Sequence, residues 1–148
     1  MANYTCTIRS NYFHVKDPDA FRLFMGRVYG AVDSVELFEN KAADGTPMFG
    51  FGTYGGIGGV RDAAADNSDD YDADESAYDV FIDGLQSHIA DDDAIIILES
   101  GNEKLRYVVG QATIVTGKDY DVLSIQELAV ARAAAMLGNP NWKTTCEY

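Results

Sequence analysis

The chain predicts an α+β fold, with about three helices packed on one face of a largely antiparallel sheet in a single domain. Three observations carry this. Helix and strand signals occur in the order β-α-β-β, an acidic connection, then α-β-β-β-α, with a hairpin and a meander among the strands. Three segments combine end caps with helical apolar spacing. At 148 residues, 47% of them hydrophobic, with seven Phe, nine Tyr and one Trp, the chain can fill one core. A chain of this length buries roughly two-thirds of its unfolded surface.

The elements follow from period and punctuation. Tyr4, Cys6 and Ile8 alternate with Asn3, Thr5 and Thr7, the pattern of a half-buried strand over 3–10. Asp17 is a good N-cap and Pro18 suits the first helical position. Phe21, Phe24, Met25 and Val28 then fall at helical spacing, giving a helix over Asp17 to Tyr29. Val35 to Glu39 and Pro47 to Thr53 flank Asp44-Gly45 and read as a hairpin whose second arm runs into glycines. Ser76 and Asp79 have capping-box spacing ahead of an apolar stripe of Tyr78, Phe81, Ile82, Leu85 and Ile89, a helix over Tyr78 to Ala90. Ala94 to Glu99, a turn at Gly101-Asn102, Leu105 to Thr116, a turn at Gly117-Lys118 and Tyr120 to Leu123 make a meander. Ser124 and Glu127 form a second capping box before an Ala-rich helix over Ile125 to Leu137, which Gly138 and Asn139-Pro140 end. Phe21, Phe24, Phe81, Leu85, Ile96, Val108 and Leu128 are the expected core.

The charge of this domain is uneven. Twelve of its 24 acids lie between Asp62 and Asp93, a span without Lys or Arg, and the remaining twelve nearly balance eleven bases. The formal charge of −13 is therefore local, and a local field can steer or hold a basic partner. Asp62, Asp66, Asp69, Asp70, Asp72, Asp74 and Glu75 begin in a connection at about 61–77, and Asp79 and Asp83 continue onto the exposed side of the second helix. These nine residues are the candidate partner-binding set. Dense carboxylates with Tyr71 and Tyr78 among them could occupy a groove that Lys and Arg line for DNA. A solvated acidic loop is the competing interpretation.

The glycine segment contains a literal GxGxxG at Gly50, Gly52 and Gly55. A dinucleotide site needs that motif to turn from a strand into an apolar crossover helix. Here it runs through more glycines into Val60-Arg61-Asp62 and the acids. A phosphate cradle outside that fold would use Gly52, Gly55, Gly56, Gly58, Gly59 and Arg61. The structural interpretation is a strand leaving the sheet through bulges or tight turns.

Metal and catalytic signals are weaker still. Asp70, Asp72 and Asp74 alternate like the start of a calcium loop, but its sixth and twelfth positions would be Glu75 and Phe81. Starting at Asp66 gives Tyr71 and Ala77. No metal or cofactor is expected. His14 and His88 read as packed or surface histidines, Ser100 as a turn residue and Ser124 as a cap, so no catalytic residue is assigned. The N-terminus lacks a basic region followed by an apolar run, and no stretch approaches the ~18 apolar residues of a span, so a cytoplasmic protein is expected, with no membrane partner. Cys6 and Cys146 are expected as reduced thiols.

Asn11-Tyr12-Phe13-His14-Val15, the segment from Gly50 to Arg61, Asp91-Asp92-Asp93-Ala94-Ile95-Ile96-Ile97 and Leu137-Gly138-Asn139-Pro140 together resemble small acidic proteins carried by mobile elements of gut Gram-positive bacteria. Such elements also carry anti-restriction proteins, some of which mimic DNA. The resemblance implies that role and carries over no functional residue. The expected function is thus non-enzymatic: an acidic interaction protein, a nucleic-acid mimic or inhibitor, binding the basic surface of a nucleic-acid enzyme and not nucleic acid itself. The alternative is a small-ligand or nucleotide-binding protein, an enzyme included, built on Gly50 to Gly59.

Overall fold

A computed structural model describes residues 4–61 and 77–146. In chain order these form β1 (Thr5–Ser10), α1 (Pro18–Arg27), β2 (Val28–Gly30), β3 (Glu36–Lys41), β4 (Pro47–Tyr54), β5 (Ile57–Val60), α2 (Ala77–His88), β6 (Ile95–Glu103), β7 (Tyr107–Val115), β8 (Tyr120–Ser124) and α3 (Ile125–Leu137). Six strands make one antiparallel sheet in the order β3-β4-β1-β6-β7-β8, and β2 with β5 make a small second one. The fold is α+β, as the sequence predicts.

Strand alternation divides the large sheet into two faces. Ile8, Phe49, Phe51, Ile95, Ile97 and Val115 point to one face, where Phe21, Phe24 and Met25 of α1 and Phe81, Ile82 and Leu85 of α2 close the core. Phe51 meets Phe81 edge to face at 5.6 Å, and Phe13 meets Phe21 at the same distance. Such pairs add about 0.5–1.5 kcal/mol to simple burial. Asp17 caps α1, its Oδ1 accepting the backbone N–H groups of Asp19 and Ala20 at 3.1 and 3.2 Å. Gly138, at φ +66°, ends α3 as expected, its N–H donating to Ala134 and Ala135 carbonyls. Ser124 precedes α3 without a side-chain cap bond, and Ser76 lies outside the described residues.

The structure corrects four expectations. First, α1 stops at Arg27, and Val28–Gly30 becomes β2, paired with β5. Val28 and Tyr29 favour extended backbone, and the helical reading of Val28 concealed it. Second, Gly101-Asn102 is no turn: β6 continues to Glu103 and the chain reverses around Lys104, at φ +49°. Gly101 serves close approach, because a Cβ there would meet the Thr5 carbonyl and the Tyr4 hydroxyl. Third, the helices do not all share a face. Ile125 of α3 sits against Gly110, which pairs with Ser100 and so points away from the aromatic core. Fourth, Phe21, Phe24, Phe81 and Leu85 are buried as expected, but Ile96, Val108 and Leu128 are 40, 68 and 54% exposed. Ile96 and Val108 occupy the phase of their strands opposite the core, and α3 does not bury Leu128.

Candidate functional site

Of the acidic set, Asp62, Asp66, Asp69, Asp70, Asp72, Asp74 and Glu75 lie outside the described residues, as does Tyr71. Asp79 and Asp83 are described, and both are exposed on α2. Four residues apart, they share one side of the helix, about 6 Å apart along its axis. The opposite side is fixed by Phe81 and Leu85, both without solvent contact, and Ile82 is buried at its flank. Asp79, Ile82 and Asp83 line a small recess with Tyr120, which is 54% exposed at the start of β8. The sequence marks Tyr120 as the start of a strand and does not place it beside the acids. It lies 37 residues beyond Asp83 and reaches α2 only because the meander returns β8 beside it.

The glycine residues are spread over different structures. Gly52 lies within β4, opposite Arg9 of β1 and Glu36 of β3. Gly55 turns the chain from β4 to β5 at φ +92°, with Val32 2.9 Å from where a Cβ would stand, and its N–H donates to the Cys6 carbonyl at 2.8 Å. The Gly56 carbonyl accepts from Ala31 N–H at 2.8 Å. Gly58 and Gly59 belong to β5, where the Tyr29 ring lies over the position of a Gly58 side chain. The Arg61 guanidinium stands 5.2 Å from the centre of that ring. These positions match strand pairing, a tight turn and close packing.

A shallow recess of about 490 Å³ beside Gly55 is lined in part by Tyr4, Cys6, Tyr54, Ser100 and Asn102. Its reactive groups are subdued. Burial, and then the nearby Glu99 charge, push the Cys6 thiol up, away from the thiolate. The Tyr4 hydroxyl donates to Glu99 Oε2 at 2.7 Å, and burial together with that bond holds it far above the ordinary phenol range.

The structure also assembles a cluster around His14, which the sequence reads as a packed or surface histidine. Asp93 Oδ2 accepts the His14 backbone N–H at 2.7 Å and stands 3.2 Å from His14 Nδ1. His14 Nε2 lies 3.2 Å from Thr46 Oγ1, giving a carboxylate, imidazole and hydroxyl in series. That order is shared with nucleophilic triads, but the Thr46 hydroxyl donates to Asp44 Oδ1 at 2.7 Å and so directs its proton away from the imidazole. The Gly45 N–H beside it is committed to the Ala42 carbonyl at 2.9 Å. The arrangement ties the β1–α1 connection to the β3–β4 turn and the α2–β6 connection. No spacing signal could reveal it, since His14 and Asp93 are 79 residues apart.

Among the described residues no three His, Cys, Asp or Glu side chains form a group that could hold a metal ion, and Cys6 and Cys146 are free. No helix there is long and apolar enough to cross a membrane. Compared with known protein families, with curated proteins and with solved structures, the chain matches none of them.

Proposed function

We propose that this chain is a non-enzymatic acidic interaction protein that engages the basic surface of a nucleic-acid-binding enzyme in the manner of a DNA mimic. The observation that supports this most is the placement of Asp79 and Asp83 on one exposed side of a helix whose other side is locked into an aromatic core. A decoy requires carboxylates held at fixed spacing, without a reacting group. The two lie about 6 Å apart along the axis, close to two steps of a DNA strand at about 3.4 Å each. Tyr120 adds an aromatic side chain beside them, a residue type enriched where interfaces concentrate their energy. Seven further acids lie at 62–75, directly ahead of α2 in the chain. An anti-restriction role on a mobile element, exercised in the cytoplasm, is the biological setting this reading implies.

The test uses three forms of the full chain: wild type, Asp79→Asn with Asp83→Asn, and a form in which Asp62, Asp66, Asp69, Asp70, Asp72, Asp74 and Glu75 are also neutralised to Asn and Gln. Wild-type chain should capture DNA-binding proteins from host extract at low salt, and duplex DNA should compete for them. Capture should weaken in the first variant and vanish in the second, with unchanged circular dichroism. Undiminished capture by the second variant defeats the proposal. A calcium ion held tightly by wild type and lost in that variant would assign the acids to metal binding instead.

A further inference from the structure

We propose that the face of the large sheet opposite the aromatic core, together with α3, is the contact surface of a symmetric dimer of this chain. The proposal rests on an apolar surface that the described residues leave open. Glu127 and Arg132 are the only charged residues among the thirteen of α3. A helix that is apolar nearly all round belongs in an interior, yet α3 buries only Ala134. Ile125, Leu128, Arg132 and Met136 recur at helical spacing along one exposed stripe. Ile125 rests on Gly110, whose neighbours on that face are Val108 and Ala112, and Ala112 pairs with Leu98. The helix stripe therefore continues across Gly110 and Ala112 onto Leu98 and Ile96 of the sheet, with Val108 beside it and the exposed Ser100 and Asn102 at its margin.

The area suits a second copy. Ile96, Leu98, Val108, Ile125, Leu128 and Met136 are each between 40 and 80% exposed. At about 100 Å² of apolar surface per fully exposed aliphatic side chain, they offer roughly 350 Å². With the ~57% apolar share typical of interfaces, this corresponds to about 600 Å² per copy, or about 1,200 Å² in all. That reaches the lower bound of stable, specific interfaces.

Charge points the same way. A chain of formal charge −13 repels its copy unless the acids are kept apart. The acidic helix α2 packs on the core face, so contact through the other face sets two sheets, about 10 Å apart, between the two α2 helices. Within the patch, Arg132 on α3 and Asp121, which pairs with Ile114 and shares its face, are of opposite sign. Arg9, which pairs with Leu98, adds a second cation, and because a two-fold contact brings each surface onto itself, a patch carrying charges of both signs is compatible with its own copy. A basic partner finds no such attraction there.

Sedimentation equilibrium of the full chain from micromolar to ~100 µM decides the matter. Wild type should form a dimer. Leu98→Glu and Leu128→Glu each place a charge at its centre and should weaken dimerisation by roughly 10- to 100-fold, with unchanged circular dichroism because both side chains are already exposed. Met136→Glu serves as a third probe if either variant fails to fold. Leu23→Glu, at an exposed position on α1, should leave the dimer intact. A wild type that stays monomeric across the range overturns the proposal, as does an oligomer that survives all the patch variants. A wild type that dimerises but captures no DNA-binding protein would count against the acidic-surface proposal alone.

Discussion

Helices α2 and α3 differ by one residue in length, twelve against thirteen, yet they are treated oppositely by the rest of the molecule. In α2 one side is apolar and the other acidic, so the sequence itself states which side turns inward, and Phe81, Ile82 and Leu85 are buried accordingly. In α3 apolar residues occur all round the helix, and nearly all of it stays in contact with solvent. An amphipathic pattern marks which side of a helix is to be covered, as the core covers one side of α2. A helix apolar throughout fits burial on several sides, and what covers it must be sought elsewhere.

The largest expected contrast comes from truncating one side chain in each helix. Phe81→Ala should cost about 3–5 kcal/mol in urea or guanidinium unfolding, since it empties the space between Phe51 and Phe24. Leu128→Ala should change the stability of the monomer by no more than about 0.5 kcal/mol. Equal losses would mean that α3 is packed as firmly as α2, and the comparison would break.

A smaller effect sharpens the account of α2. Gly84 sits in the helix interior where the Phe24 ring occupies the position of any side chain. Gly84→Ala would gain about 1 kcal/mol of helix propensity, but forcing a methyl against a core ring costs typically ~1–3 kcal/mol. The expected result is a net loss of roughly 1 kcal/mol in chemical denaturation. A net gain would show that the two helices pack more loosely than the contact implies.

The smallest effect is one of pH, and it again singles out α2. His88, in its last turn, lies 5.0 Å from the Phe24 ring and 5.8 Å from Phe21. Burial first, and the Arg27 charge second, hold its pKa below the ordinary histidine value. The unfolded chain therefore binds the extra proton more readily than the folded one. The resulting contribution to stability is present above pH ~6.5 and is lost as the pH falls below it. His88→Gln should flatten this part of the stability profile between about pH 7 and pH 5. An unchanged slope would remove His88 from the account.

The parts of the fold legible in the sequence are those with a long local period. The three helices lie where caps and apolar spacing put them, with α3 spanning the expected Ile125–Leu137. The small sheet was illegible because Val28–Gly30 continues a helical spacing and Ile57–Val60 holds two glycines, so neither short strand carries a period of its own. For the candidate site, the acids of α2 could be read from the chain, while Tyr120 beside them and the tie between His14, Asp93 and Thr46 depend on tertiary neighbours. The glycines were legible as structural residues, because GxGxxG here lacks a crossover helix after it, and Gly55 is used for a turn and Gly52 for a crowded strand.

The proposed contact between the acidic side of α2 and a basic partner stands or falls on the salt dependence of that association. Affinity for a captured DNA-binding protein should be measured from roughly 50 to 200 mM salt for wild type and for the Asp79→Asn, Asp83→Asn form. Wild-type affinity should fall about tenfold or more over that range. The variant should bind more weakly at low salt and with a shallower dependence. Equal affinities and equal slopes for the two forms would contradict the claim.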